Sequence, residues 1–163
     1  MRTLSENTGG AGLSPAEIEE IKAEMRHYED KTAVSIEALK IVQKHRRWVS
    51  DEALTAVADF LRISPAQLEA VATFYNLIYR RQVGNTVIHV CDSVTCWMLG
   101  GDRVSERLRQ HLQVELGEMS ADGGYTILPI ACLGACDHAP AVLVGNELRL
   151  DVSEDAVDEI LGR

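Results

Sequence analysis

The sequence is short of the residues and segments on which several common functions depend. Aromatic residues make up only 5% of its 163 residues, so nothing indicates a surface on which nucleic-acid bases could stack. No stretch approaches the roughly 18 consecutive apolar residues of a membrane span, and the first 13 residues lack the apolar region of a secretory signal. We therefore expect a cytoplasmic protein with no nucleic-acid partner and no direct membrane insertion.

Lysine is missing from the whole second half of the chain. Residues 81–163 contain 6 arginines and 13 acidic residues, a net charge of −7, whereas residues 1–80 have 10 basic and 12 acidic residues, a net charge of −2. An acidic half argues against binding to polyanions, which requires basic side chains against phosphates. It is compatible with a protein partner that is basic at the contact, or simply with solubility.

Nucleotide-binding and catalytic motifs are also missing. The chain has neither the glycine-rich dinucleotide fingerprint nor a P-loop; the Gly-Gly-Ala-Gly run at residues 9–12 follows no strand and precedes no Lys-Ser/Thr pair. No nucleophile lies in a recognisable pairing with a base. We therefore predict no catalytic residue on this chain and expect that it binds neither NADH nor flavin by itself.

The apolar pattern divides the chain into three parts: a disordered tail at residues 1–13, a helical region at 14–80 and a mixed α/β domain at 81–163. Capping boxes at Ser14-Pro15-Ala16-Glu17 and Ser64-Pro65-Ala66-Gln67 predict the starts of the first and fourth helices. The first helix is expected to reach about Tyr28, and the fourth to include Tyr75 and Ile78. Between them we predict a second helix at 33–47 and a third that begins after Ser50.

The second half reads as β-α-β-β-β-α. Strands are predicted at residues 86–90 and 125–130 with a helix at 102–112 between them, so the two strands should be parallel neighbours joined by a right-handed crossover. A hairpin follows, with strands at 141–144 and 147–152 around a Gly145-Asn146 turn, and Ser153 caps a last helix. This is the order of the C-terminal part of a thioredoxin fold, and the fold class of the chain is α/β (α+β).

The four cysteines are the most informative residues of the chain. Cys91 and Cys96 form a C-x4-C pair, and Cys132 and Cys136 form a C-x3-C pair 35 residues further on. Each pair starts where a predicted parallel strand ends, and the carboxyl ends of such strands meet at one sheet edge, where ligands bind. Four thiolates could therefore converge there on one metal centre.

The spacing of the cysteines bears on the identity of that centre. Structural zinc commonly uses C-x2-C pairs, whereas plant-type [2Fe–2S] ferredoxins also use a C-x4-C pair. A Rieske centre needs a second Cys-His pair, which the sequence lacks. A thioredoxin-type redox site needs a C-x-x-C motif, which the sequence also lacks. Spacing thus favours a [2Fe–2S] cluster and leaves zinc, a disulfide or free thiols open.

Residues beside the cysteines support a cluster. Gly134 stands where the backbone needs a positive φ, and the small residues Ser93, Gly134 and Ala135 would let amide groups approach the sulfurs. Trp97 is expected either to shield the cluster or to pack beside its loop. Either His89 or His138 could support a ligand, although each is expected to be structural or solvent-facing.

The motifs resemble a known family. Cys91-Asp92-Ser93-Val94-Thr95-Cys96 and Cys132-Leu133-Gly134-Ala135-Cys136-Asp137-His138-Ala139-Pro140 are similar to the E subunits of bacterial NADH:quinone oxidoreductase (respiratory complex I), the counterparts of the mitochondrial flavoprotein 2 subunit. The helical half resembles them in Tyr28-Glu29-Asp30, the run at 35–43 and Val71-Ala72-Thr73-Phe74-Tyr75. The resemblance covers residues 14–163.

This resemblance implies a fold and a role. The fold is an N-terminal helical bundle followed by a thioredoxin-like [2Fe–2S] ferredoxin domain. Cys91, Cys96, Cys132 and Cys136 would bind one [2Fe–2S] cluster, which exchanges single electrons with FMN on a flavoprotein partner that also binds NADH. The chain would be part of an oxidoreductase with further peripheral-arm subunits. Its helical region would lie against the partner, and the complex would hold it on the cytoplasmic side of the inner membrane.

Three alternatives stay open at this point. The chain could be the equivalent diaphorase subunit of an NAD-dependent hydrogenase or formate dehydrogenase. It could instead be a zinc-stabilised interaction module, which would be colourless and without redox activity. A free-standing thioredoxin-like ferredoxin is the third, but four amphipathic helices argue against it because their apolar faces need something to bury them.

Overall fold

The computed structural model describes residues 12–162, so most of the predicted tail lies outside the described residues. The chain divides after Gln82 into two compact units. We call residues 12–82 the helical unit and residues 83–162 the sheet unit. In the described part of the chain, no helix is both long enough and apolar enough to cross a bilayer.

The helical unit contains four α-helices, as predicted. They are α1 (Pro15–Glu24), α2 (Ser35–Arg46), α3 (Asp51–Leu61) and α4 (Pro65–Phe74), with short 3-10 turns at Met25–His27 and Lys31–Val34. Three of the four begin at a serine whose hydroxyl accepts a hydrogen bond from the amide three residues later. These serines are Ser14, Ser50 and Ser64, and the first and last form the predicted capping boxes.

Two predicted helix ends in this unit are wrong. The first helix changes to a 3-10 turn at Met25 and gives way to extended backbone at Tyr28, and the fourth stops at Phe74 because Tyr75 is extended. Neither end carries a glycine or proline that would have marked it in the sequence.

The core of the helical unit joins all four helices. Its largest fully buried side chains are aliphatic: Ile21, Val34, Leu39, Val42, Val49, Leu61 and Leu68. One ion pair is also buried between α1 and α2. The guanidinium of Arg46 donates to both carboxylate oxygens of Glu17, each at 2.7 Å, and Glu17 is only 1% exposed.

The sheet unit contains four strands in the order β2-β1-β3-β4. They are β1 (Thr86–Cys91), β2 (Tyr125–Ile130), β3 (Val142–Val144) and β4 (Glu147–Arg149). The predicted parallel pairing of β1 with β2 is confirmed, with Cys91 opposite Ile130. The predicted hairpin is confirmed as well, since β3 pairs antiparallel with β4 across a two-residue turn.

Three further helices complete this unit: α5 (Val94–Met98), α6 (Gly101–Leu112) and α7 (Val157–Ile160). The apolar face of α6 packs on the sheet through Val104 and Leu108, against β1 and β2. The predicted fold class and strand–helix order are confirmed, apart from three details. Helix α5 was not predicted, and β4 ends at Arg149 instead of residue 152. Ser153 does not cap the last helix, because it precedes a 3-10 turn and makes no side-chain capping bond.

The early end of β4 is explained by hydrogen bonds to another loop. Asp151 has a positive φ of 50°, and its amide donates to the carbonyl of His138. The next amide, that of Val152, donates to the carbonyl of Pro140. The chain beyond β4 is therefore bonded to the loop after the second cysteine pair, and it supports that loop.

Candidate metal centre

The first cysteine pair lies at the carboxyl end of β1. Cys91 is the last residue of that strand, and its amide donates to the carbonyl of Ala141 at 3.2 Å. The next amide, that of Asp92, donates to Ile130 at the end of β2 at 2.8 Å. Backbone bonds to both neighbouring segments thus fix the point where this loop leaves the sheet.

Helix α5 then brings Cys96 back toward Cys91. Cys96 is 1% exposed and Cys91 is 5% exposed, so this pair is buried. The close fit requires a glycine at position 101: a Cβ there would lie 2.8 Å from the carbonyl oxygen of Cys96. Neither α5 nor this contact was predicted from the sequence, and only the Gly100-Gly101 pair could have suggested a tight approach.

The second pair lies in the loop after β2. Gly134 has a φ of 78°, as predicted, and its amide donates to the sulfur of Cys132 at 3.3 Å. The backbone turn brings the sulfurs of Cys132 and Cys136 to 3.9 Å from each other. Both of these cysteines are exposed, in contrast to the first pair.

The two loops pack against each other. Cys91, Cys96 and Ala141 form a small buried cluster with Leu133, Ala135 and Ala139 around it. Burial raises the pKa of the Cys91 thiol. Hydrogen bonds with the Ser93 side chain, with the amides of Ser93 and Leu133 and with Cys96 outweigh burial, so this pKa lies below its ordinary value. One of those donors, Leu133, comes from the second loop.

The other shifted thiols have raised pKa values. Burial is the main cause at Cys96, and the neighbouring Cys91 adds to it. At Cys136 the hydrogen bond with Cys132 and the charge of that neighbour raise the pKa, although a hydrogen bond from Thr95 opposes them. Metal binding at these two sulfurs would therefore release protons.

The donor set can be tested against the two metal centres that remained open. Two thiolates on one tetrahedral ion, each about 2.3 Å from the metal, lie about 3.8 Å apart, which agrees with the Cys132–Cys136 distance of 3.9 Å. Cysteine thiolates bind zinc and [2Fe–2S] clusters alike, so the donor set fits either centre.

The sequence analysis also named His89, His138 and Trp97, which differ from one another in burial. His89 is buried in β1, and burial lowers its pKa. His138 is exposed, and its pKa is raised by a hydrogen bond of 3.0 Å to Asp151. Trp97 is 62% exposed and lines a cavity together with Cys91 and Asp92.

The outer face of α5 is apolar. Val94, Trp97 and Met98 recur at helical spacing, and Leu99 follows them; all four are 57–72% exposed. Large apolar side chains grouped on a surface mark contact sites more often than isolated ones do. Here they lie on the helix that carries Cys96.

Comparisons with known proteins give a consistent result. The family model for thioredoxin-like [2Fe–2S] ferredoxins matches residues 21–163. The E subunit of the NADH-quinone oxidoreductase of Pseudomonas aeruginosa is 46% identical over 149 residues, which cover 91% of this chain and 90% of that protein. The protein of the same name from Escherichia coli K12 is also 46% identical, over 93% of this chain and 91% of its own length.

A solved structure resembles the fold. The crystal structure of an NAD+-reducing [NiFe]-hydrogenase in the air-oxidized state superposes with a TM-score of 0.64 at 22% sequence identity. The matched region covers 76% of this chain and 22% of the hydrogenase chain. At that identity the likeness concerns the fold alone.

Proposed function

The chain belongs to the thioredoxin-like [2Fe–2S] ferredoxin family, and from that membership we propose that it is the electron-transferring E subunit of an NADH–quinone oxidoreductase. The observation that carries the proposal is the match to E subunits at 46% identity over nine-tenths of both chains. Membership also confirms the predicted fold and the predicted [2Fe–2S] cofactor. The chain is thus one component of an oxidoreductase.

We propose that Cys91, Cys96, Cys132 and Cys136 hold the cluster. The packing of the two cysteine loops supports this assignment, as does the Cys132–Cys136 separation of 3.9 Å. When bound, a [2Fe–2S] cluster takes up and returns one electron at a time. The chain's own residues place the thiolates, direct amides at the sulfurs of Cys91 and Cys132, and bury one side of the site.

The proposed partner is the flavoprotein subunit that carries FMN and binds NADH. A one-electron carrier works with a flavin only when the two are close, so the partner should cover the exposed side of the site, where Cys132 and Cys136 lie. The apolar face belongs to α5, whose Thr95 side chain hydrogen-bonds with Cys136. We propose that this face contacts the flavoprotein, and that residues 14–80 form a further contact region. Such contacts would place the chain on the cytoplasmic side of the inner membrane through the complex.

The alternatives have less support. An NAD-reducing hydrogenase shares the fold, but at 22% identity, whereas the E subunits are twice as similar over nearly the full chain. A zinc-stabilised interaction module disagrees with the match of residues 21–163 to the thioredoxin-like [2Fe–2S] ferredoxin family.

Metal analysis tests the cofactor assignment. The full chain, purified without oxygen, should contain about two iron and two sulfide per chain and give an S = 1/2 EPR signal after reduction with dithionite. One zinc per chain with no visible absorption would overturn the proposal in favour of the interaction module.

Co-purification tests the partner. Tagged full-length chain should retain the FMN-carrying flavoprotein, and Met98→Asp should weaken that retention at unchanged iron content, because it buries a charge in the proposed contact. Leu148→Asp is the matched control, since Leu148 is also a large exposed apolar residue but lies on β4. Equal retention by both variants would contradict a contact at α5.

A further inference from the structure

Ser93 occupies a helix start without capping the helix. It is the N-cap residue of α5, yet its side chain makes no capping hydrogen bond. In the helical unit, the serines at the starts of α1, α3 and α4 all cap through their hydroxyls. Capping is the usual reason for a serine at this position, so Ser93 needs a different explanation.

The hydroxyl of Ser93 faces the sulfur of Cys91 instead. The thiol of Cys91 donates to this hydroxyl over 3.5 Å. A thiolate bound to iron has no proton to donate, so in the loaded protein the direction reverses and the hydroxyl donates to the sulfur. Because Cys91 is 5% exposed, little water competes for that sulfur, and a hydrogen bond in such surroundings has a larger electrostatic effect.

We propose that Ser93 sets the reduction potential of the bound cluster by donating a hydrogen bond to the sulfur of Cys91. Reduction adds one electron and forms or breaks no bond, and the hydroxyl keeps its proton. The extra negative charge strengthens the hydrogen bond, so the reduced state is stabilised more than the oxidised state and the potential rises. Hydrogen bonds to cluster sulfurs act in this direction generally. The inference rests on the proposed function, because it requires the cluster.

Ser93→Ala in the full chain tests this role. The variant should keep its iron but have a more negative potential in an EPR-monitored redox titration. We expect the reduction equilibrium constant to fall roughly two- to tenfold, and tenfold is a shift of about 59 mV for one electron. Ser93→Thr should restore most of the potential because it keeps a hydroxyl.

Ser153→Ala is the control. Ser153 is also an N-cap serine without a side-chain capping bond, so its loss should leave the potential unchanged. An unchanged potential in Ser93→Ala at normal iron content would overturn the proposal. So would loss of iron from both Ser93→Ala and Ser93→Gly, because Ser93 would then be needed to build the site. A wild-type chain with zinc would instead refute the proposed function itself.

Discussion

The two units use the same residue type for different purposes. In the helical unit, the hydroxyls of Ser14, Ser50 and Ser64 satisfy amides at helix starts. In the sheet unit, Ser93 leaves the start of α5 uncapped and contacts a cysteine sulfur. The side-chain cap is missing at the candidate metal centre and present at three helices of the helical unit, which is a common difference between functional sites and the rest of a protein.

The two units also differ in the kind of titratable group whose pKa is shifted. In the helical unit the carboxylates with shifted pKa values all have lowered ones, and Glu17 with its partner Arg46 is the buried case. In the sheet unit the groups with shifted pKa values include three thiols of the metal centre. Mutations can therefore be chosen to affect one unit and spare the other.

Removal of one thiol should have the largest effect. Cys132→Ala leaves Cys136 without its partner at 3.9 Å, so we expect complete loss of bound iron and weaker assembly, with the helices of the helical unit intact by amide hydrogen exchange. Asp137→Asn, at an exposed carboxylate in the same loop, is the control and should keep its iron. Normal iron content in Cys132→Ala would refute the ligand assignment.

Breaking the Glu17–Arg46 ion pair should affect the helical unit alone. Glu17→Gln leaves the guanidinium of Arg46 half-paired between α1 and α2. The loss of charge-assisted hydrogen bonds should cost roughly 1.5–3 kcal/mol of stability and raise hydrogen exchange in both helices. Glu20→Gln on the same helix removes an exposed pair with Lys44 and should change exchange much less. Loss of iron in Glu17→Gln would contradict the separation of the two units.

A larger residue at position 101 should disturb the metal centre by displacing the backbone of Cys96. In Gly101→Ala the new Cβ would lie 2.8 Å from the Cys96 carbonyl oxygen, and such overpacking costs about 1–3 kcal/mol. We expect a lower unfolding temperature for the sheet unit and reduced iron loading. Gly12→Ala, where the added carbon meets nothing within 4 Å, should change neither.

Acid should weaken the helical unit through Glu17. Burial raises the pKa of this carboxyl, but hydrogen bonds from Arg46 and Ser14 outweigh burial and hold it below the ordinary 4.5. The stabilisation is therefore complete above about pH 4.5 and is lost as the pH falls through the folded-state value. Denaturant unfolding from pH 7 to pH 3 should show a steeper loss for wild type than for Glu17→Gln; equal slopes would contradict this assignment.

Helix and hairpin starts could be read from the sequence because they depend on local bonds. The serine-proline capping boxes at Ser14 and Ser64 and the Gly145-Asn146 turn each define geometry within four residues. The parallel β1–β2 pair was also predictable, since an α-helical crossover between two strands allows few other arrangements.

The features that the sequence did not predict depend on contacts between residues that are distant along the chain. Helix α5 has only five residues and starts with β-branched Val94 and Thr95, so its apolar pattern is too short to indicate a helix. The end of β4 depends on carbonyls of His138 and Pro140. At the site, the cysteines and the positive φ of Gly134 were recognisable, whereas the hydroxyl contact of Ser93 and the tight fit at Gly101 needed three-dimensional positions.

The separation of the cysteine pairs along the chain has a consequence for folding. A cluster bound by both loops would close a loop of 35 residues, which includes α6 and β2. A covalent cross-link of that span lowers the chain entropy of the unfolded state, which raises the free energy of that state by about 4 kcal/mol at room temperature. The bound cluster would therefore stabilise the folded state relative to the unfolded state. Loss of the cluster would remove the cross-link that keeps the unfolded chain compact.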